Sequence, residues 1–91
     1  MPTPDTLPNL GPASRRLLAD VGLLAVDDVR RIGAVAAFAR VQARHPSVSL
    51  NLLWALEGAL TGERWQDVAR EHRTSLLLAL ESHHAARTQP R

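Results

Sequence analysis

The stretch "LNLLWALEGAL", residues 50–60, carries apolar side chains in nearly every direction around a helix. Such a helix has no face suited to water, so it belongs at the centre of a domain with the other segments packed around it. Ser49 precedes it as an N-cap, a residue whose hydroxyl accepts from the free N–H groups of a first turn, and Gly62 closes it. Asn51, Ala55, Gly58 and Gly62 fall near one line on its surface, where small side chains admit a close neighbour. The longer run "VSLNLLWALEGAL" is interrupted by Asn51, Glu57 and Gly58, which makes it too short and too polar to span a bilayer.

The flanking segments read as amphipathic helices. After the central helix, residues 67–86 place Val68, His72, Leu76, Ala79, Leu80 and His83 on one face of a single last helix, and the tail 87–91 is expected to fray. Before it, Ala34–Arg44 carries Val35, Phe38, Ala39 and Val41 and ends ahead of Pro46. A short helix over Val26–Ile32 turns Val26, Val29 and Ile32 inward, with Asp27 and Asp28 at the positive end of its dipole and Gly33 as breaker. The first helix starts at Pro12, runs to Val21 with Ala13, Leu17, Leu18 and Val21 inward, and stops at Gly22. Pro2, Pro4 and Pro8 keep residues 1–8 extended. No strand pattern, repeat or internal linker is visible. The expected fold is all-α: one domain over 1–91, a small bundle of about five helices with a helix-hairpin-helix-like N-terminal part.

Composition narrows the function classes. With 91 residues and 45% apolar content the chain builds one modest core. It has no cysteine, which suits a reducing compartment and leaves no thiolate metal site. The N-terminus "MPTPDTLP" lacks the basic and apolar regions of a signal peptide, so a soluble cytoplasmic protein is expected. All 11 basic residues are arginine, yet the net charge is only +2, and two Trp, one Phe and no Tyr provide few stacking platforms. That balance does not mark a strong nucleic-acid binder, and a reader of single-stranded DNA or RNA usually carries more aromatics.

No catalytic constellation emerges. There is no nucleophile elbow, P-loop or paired-histidine zinc helix. Asp27 with Asp28 reads as a helix start rather than a carboxylate pair. His72 and His83 are eleven positions apart on the last helix, too far to share an ion, and His83 and His84 point about 100° apart. Neither metal nor cofactor is expected. Trp54 reads as core, and Trp65 as a plug where the chain turns into the last helix.

Two surface features remain. "LPNLGPASRRL", residues 7–17, resembles the hairpin of helix-hairpin-helix DNA-binding motifs, in which turn N–H groups and a helix N-terminus hold a phosphate. Asn9, Leu10 and Gly11 would form the turn and Arg15 and Arg16 the cations. Asn9 stands where a glycine is usual, and no helix precedes the turn. The structural reading, a helix start with Leu7 and Leu10 buried, is therefore preferred. The second feature is Leu77 and Leu78: Leu78 points roughly 140° away from the inner stripe of the last helix and Leu77 lies on the opposite flank, so the two border a mixed-charge face and mark a surface for a regulatory partner or a second copy.

Most of the chain, roughly residues 7–81, resembles the C-terminal domain of the TfoX (Sxy) family of competence regulators. The matching blocks are "LPNLGPASRRLLADVGL", "DDVRRIGAVAAFARVQ" and "VSLNLLWALEGALTGERW", the last with Trp65 being the most specific. The resemblance implies a small helical domain and a non-enzymatic role in switching on DNA-uptake genes together with the cyclic-AMP receptor protein. Full-length members carry a further N-terminal domain, so a stand-alone C-terminal-like domain is expected here. Two departures stand out: Ala25 replaces the usual Thr or Ser cap, which should weaken the second helix's start, and Val68-Ala69 replaces Leu-Pro, which should let the last helix begin earlier. The expected function is a protein-interaction module in transcriptional regulation, monomeric or weakly dimeric. The alternative is weak, sequence-independent binding to the DNA backbone.

Overall fold

The computed structural model describes residues 10–88. Among these, six α-helices and no strand occur: α1 Pro12–Asp20, α2 Val26–Ile32, α3 Ala34–Arg44, α4 Asn51–Thr61, α5 Trp65–Glu71 and α6 Arg73–Thr88. Residues 1–8, expected to be extended, lie outside the described residues.

α4 is the centre, as its composition requires. Leu52, Leu53, Trp54, Ala55, Leu56, Gly58 and Ala59 are all buried, and the helix packs against α3 on one side and α5 on the other. Ala55 and Gly58 occupy the buried part of the expected small-residue line, while Asn51 and Gly62 are exposed. Ser49 caps the start: its Oγ accepts from the Asn51 N–H at 3.1 Å and its carbonyl from the Leu52 N–H at 3.1 Å. Around α4 the side chains most completely removed from water are Phe38, Leu18, Leu53, Leu56, Val29, Val41 and Val68.

The last expected helix is two. α5 ends and α6 begins at His72, whose φ of −118° and ψ of 7° leave helical geometry. The reason is packing. Val68 is buried where α5 lies on α4, whereas Leu76 and Leu80 are buried where α6 lies on α3. One straight helix would serve only one of those neighbours, so the chain bends. His72 and His83, expected on the inner stripe, are half-buried at the bend and beyond it, and Ala79 is exposed. Arg87 and Thr88, assigned from sequence to a fraying tail, belong to α6.

Helix ends show where local chemistry decides. After α1, the Leu23 N–H donates to the Leu18 carbonyl at 2.9 Å and the Gly22 N–H to the Ala19 carbonyl at 3.0 Å. This is a complete Schellman stop, with Gly22 at φ +84° and the flanking Leu18 and Leu23 both buried. The inner side of α1 is Leu18 with half-buried Leu17 and Val21; Ala13, expected inward, is exposed. At α2, Ala25 offers no oxygen, but the carboxylate of Asp28 accepts from the N–H groups of Leu24 and Ala25, each at 3.1 Å. Asp28 thereby supplies one half of a capping box; the other half, a side-chain oxygen on residue 25, is absent. Asp28 also pairs with Arg31.

Gly33 joins α2 directly to α3 at φ +88° and ψ 161°, a backbone region open to glycine alone. A Cβ there would meet no atom within 4 Å, so a substitution is penalised by the backbone and not by a clash. Gly33→Ala should therefore cost about 1–3 kcal/mol of stability without changing the fold. Equilibrium urea unfolding with an unchanged midpoint would show that the joint relaxes freely.

Candidate interaction surfaces

The N-terminal turn expected to hold a phosphate is only partly available. Asn9 lies outside the described residues. Leu10 is buried in the core. Gly11 is exposed and extended, at φ −83° and ψ 178°, and its carbonyl accepts the Arg15 N–H at 3.0 Å. No side chain caps α1 and no acidic residue occupies its first turn. Pro12 contributes no N–H, so the free backbone donors are those of Ala13 and Ser14. Arg15 and Arg16 are both exposed, but successive residues diverge around a helix, and they do not converge on that end.

Arg16 instead lines an open groove of about 450 Å³ with Ala13, Leu17, Asp20 and His45. A second hollow of about 570 Å³, lined by Asp20, Val21, Arg40, Ala43 and Arg44, shares Asp20 with it. The two run along the seam where α1 crosses the end of α3. At their meeting point the Asp20 carboxylate lies 2.9 Å from His45 Nε2 and 3.5 Å from Arg44 Nε. Exposed pairs of this kind contribute about 0–1 kcal/mol, so their effect is to hold side chains in place more than to hold the fold. Arg16 and Arg40 stand on either side of the knot with no ion-pair partner among the described residues. The floor is apolar, from Ala13 and Leu17. Sequence reading found Arg16 but missed Arg40, Arg44 and His45, because His45 meets Asp20 across 25 positions. The one available signal was the spacing of Arg40 and Arg44 at i,i+4, which puts them on one face of α3.

On α6 the two leucines part company. Leu78 is 59% exposed, as its position opposite the stripe implies, while Leu77 is half-buried and packs on the core. Leu24, in the connection between α1 and α2, is 69% exposed and was not singled out from sequence. Leu78→Lys should leave the melting temperature unchanged within about 4 °C, since an exposed site away from caps and core moves stability by no more than about 0.5 kcal/mol. A sharp fall in a thermal melt would place Leu78 in the core.

Histidines fall elsewhere than expected. His72 Nε2 lies 3.2 Å from a Glu63 carboxylate oxygen, and with Glu71 these groups bring ligand-type atoms within 4.8 Å of one another at the α4–α5–α6 corner. His84 Nε2 lies 3.0 Å from Gln42 Oε1, tying α6 to α3. Trp54 is core, and Trp65 is half-buried beside Ser14, Asn51, Leu52 and Ala55. Among the described residues no polar or charged side chain is buried, so none of their acids, bases or hydroxyls stands in a water-excluded site. No helix among them is long and apolar enough to cross a membrane.

Residues 4–80 match the TfoX C-terminal domain. Two solved structures resemble the whole bundle. One is the tetragonal crystal form of a protein of unknown function from Listeria monocytogenes, 29% identical, with a TM-score of 0.75 over 86% of this chain and 96% of that one. The other is the triclinic form of an uncharacterized protein from Listeria monocytogenes, 28% identical, with a TM-score of 0.75 over 89% and 92%. No curated protein matches the chain.

Proposed function

The chain belongs to the TfoX C-terminal domain family, and from that premise we propose that it is a non-enzymatic regulatory domain of the cytoplasm that acts by binding another protein in transcriptional control of the DNA-uptake type. The observation that supports this reading is the α1–α3 groove, whose apolar floor of Ala13 and Leu17 lies between charged rims at Arg16, Asp20 and His45. Protein interfaces are built this way, with an apolar centre excluding water and a polar border setting orientation. Leu78 on α6 is the second candidate contact.

The test is affinity capture from the native cell with the wild-type chain, Ala13→Gln and Leu78→Lys in parallel. Ala13 is exposed, so Gln lays a polar amide over the groove floor and leaves the core alone. A transcriptional partner held by the wild type and lost with Ala13→Gln supports the reading. Equal capture of that partner by wild type and both variants overturns the placement.

Binding to the DNA backbone is the second reading, favoured by the uncapped start of α1 beside Arg15 and Arg16. Such binding would be weak, indifferent to sequence and steeply salt-dependent. Arg15→Glu with Arg16→Glu should abolish it in an electrophoretic shift while the circular dichroism spectrum is retained. Tight, sequence-selective binding at physiological salt that survives both changes would refute that site.

A further inference from the structure

We propose that the partner segment seated in the α1–α3 groove is acidic and places one apolar side chain between its carboxylates. The inference rests on the reading of the groove as a protein-binding site and adds the chemistry of the occupant.

Charge distribution carries it. Arg30, Arg31 and Arg70 are each answered on their own helix by Asp27, Asp28 and Asp67, three positions away. Around the groove the balance differs. Arg16, Arg40 and Arg44 face one carboxylate, Asp20, which already contacts Arg44 and His45. Three arginines against one aspartate leave two positive charges on this seam without a carboxylate of their own. Arg16 and Arg40 mark its two sides, and guanidinium forks suit carboxylates because they offer paired donors.

Apolar surface separates the candidate polyanions. A phosphate backbone repeats its charge at every unit and offers no apolar side chain to Ala13 and Leu17, so it meets the Asp20 carboxylate between the arginines with a row of charge it cannot interrupt. A peptide alternates acidic and apolar side chains within a few residues and can satisfy both the rims and the floor. Opposite charges then steer the encounter, and burial of the apolar side chain slows release.

The experiment measures fluorescence anisotropy of three labelled probes with the full chain: a short glutamate–leucine peptide, polyglutamate of equal length and duplex DNA of equal charge. The glutamate–leucine peptide is expected to bind tightest, with affinity falling as salt rises. Arg16→Glu with Arg40→Glu should weaken it about tenfold or more, and Ala13→Gln should weaken it while sparing polyglutamate. Equal or tighter binding of DNA overturns the proposal, as does equal binding of polyglutamate, which would remove the apolar contact. The captured cellular partner distinguishes two failures. Loss of capture with Ala13→Gln but not with Arg16→Glu and Arg40→Glu leaves the groove standing and overturns its acidic occupant. Indifference to all three changes overturns the groove itself.

Discussion

Leu56→Asp is expected to leave the chain unfolded, with its helical circular dichroism signal lost at room temperature. Leu56 is 0% exposed, in the middle of the helix that both α3 and α5 pack against. Removing a buried leucine costs about 2–5 kcal/mol through lost transfer and the cavity left behind. The new carboxylate adds the cost of an unpaired charge in an apolar interior, where no buried polar group among the described residues can answer it. Together these match or exceed the total stability of about 5–15 kcal/mol typical of a small domain. Leu56→Met is the control, since it conserves volume and should cost less than about 1.5 kcal/mol. A Leu56→Asp variant that melts like the wild type would mean that α4 is not the centre of the bundle.

Phe38→Ala should be the most damaging neutral truncation. Phe38 is the only phenylalanine of the chain and is 0% exposed, on the helix that contacts α1, α2, α4 and α6. The expected cost is about 3–5 kcal/mol. At about 4–8 °C per kcal/mol for a domain of this size, the melting temperature should fall by roughly 15 °C or more. Calorimetry measures this directly, and a fall under about 5 °C would show that the surrounding helices collapse into the space. Leu78→Lys, which replaces an apolar side chain at an exposed position, provides the contrast.

Much of this architecture is legible in residues 10–62 because the signals there are local. The all-round apolar character of 50–60 identifies the central helix, and Gly22 and Gly33 stop helices where side chains other than glycine are strained. Leu78 is exposed because its angle around the last helix points away from Leu76 and Leu80, which periodicity alone predicts. At Ala25 the missing cap is legible in the sequence, and so is its partial counterpart three positions on, the Asp28 carboxylate that accepts the Ala25 N–H.

What the sequence by itself determined is therefore the helical class, the identity of the buried centre and the turns that separate the first four helices, since each follows from backbone preference and the direction of side chains about one axis. Only the tertiary structure decided the break at His72 and the joining of Arg16 and Asp20 to Arg40, Arg44 and His45. A continuous helical stripe over 67–86 is compatible with one straight helix until α4 and α3 demand different directions from Val68 and from Leu76. Likewise, nothing along the chain relates α1 to the end of α3; their crossing, set by burial of Leu18 and Val41 in a shared core, brings residues 25 positions apart within hydrogen-bonding distance and creates the groove.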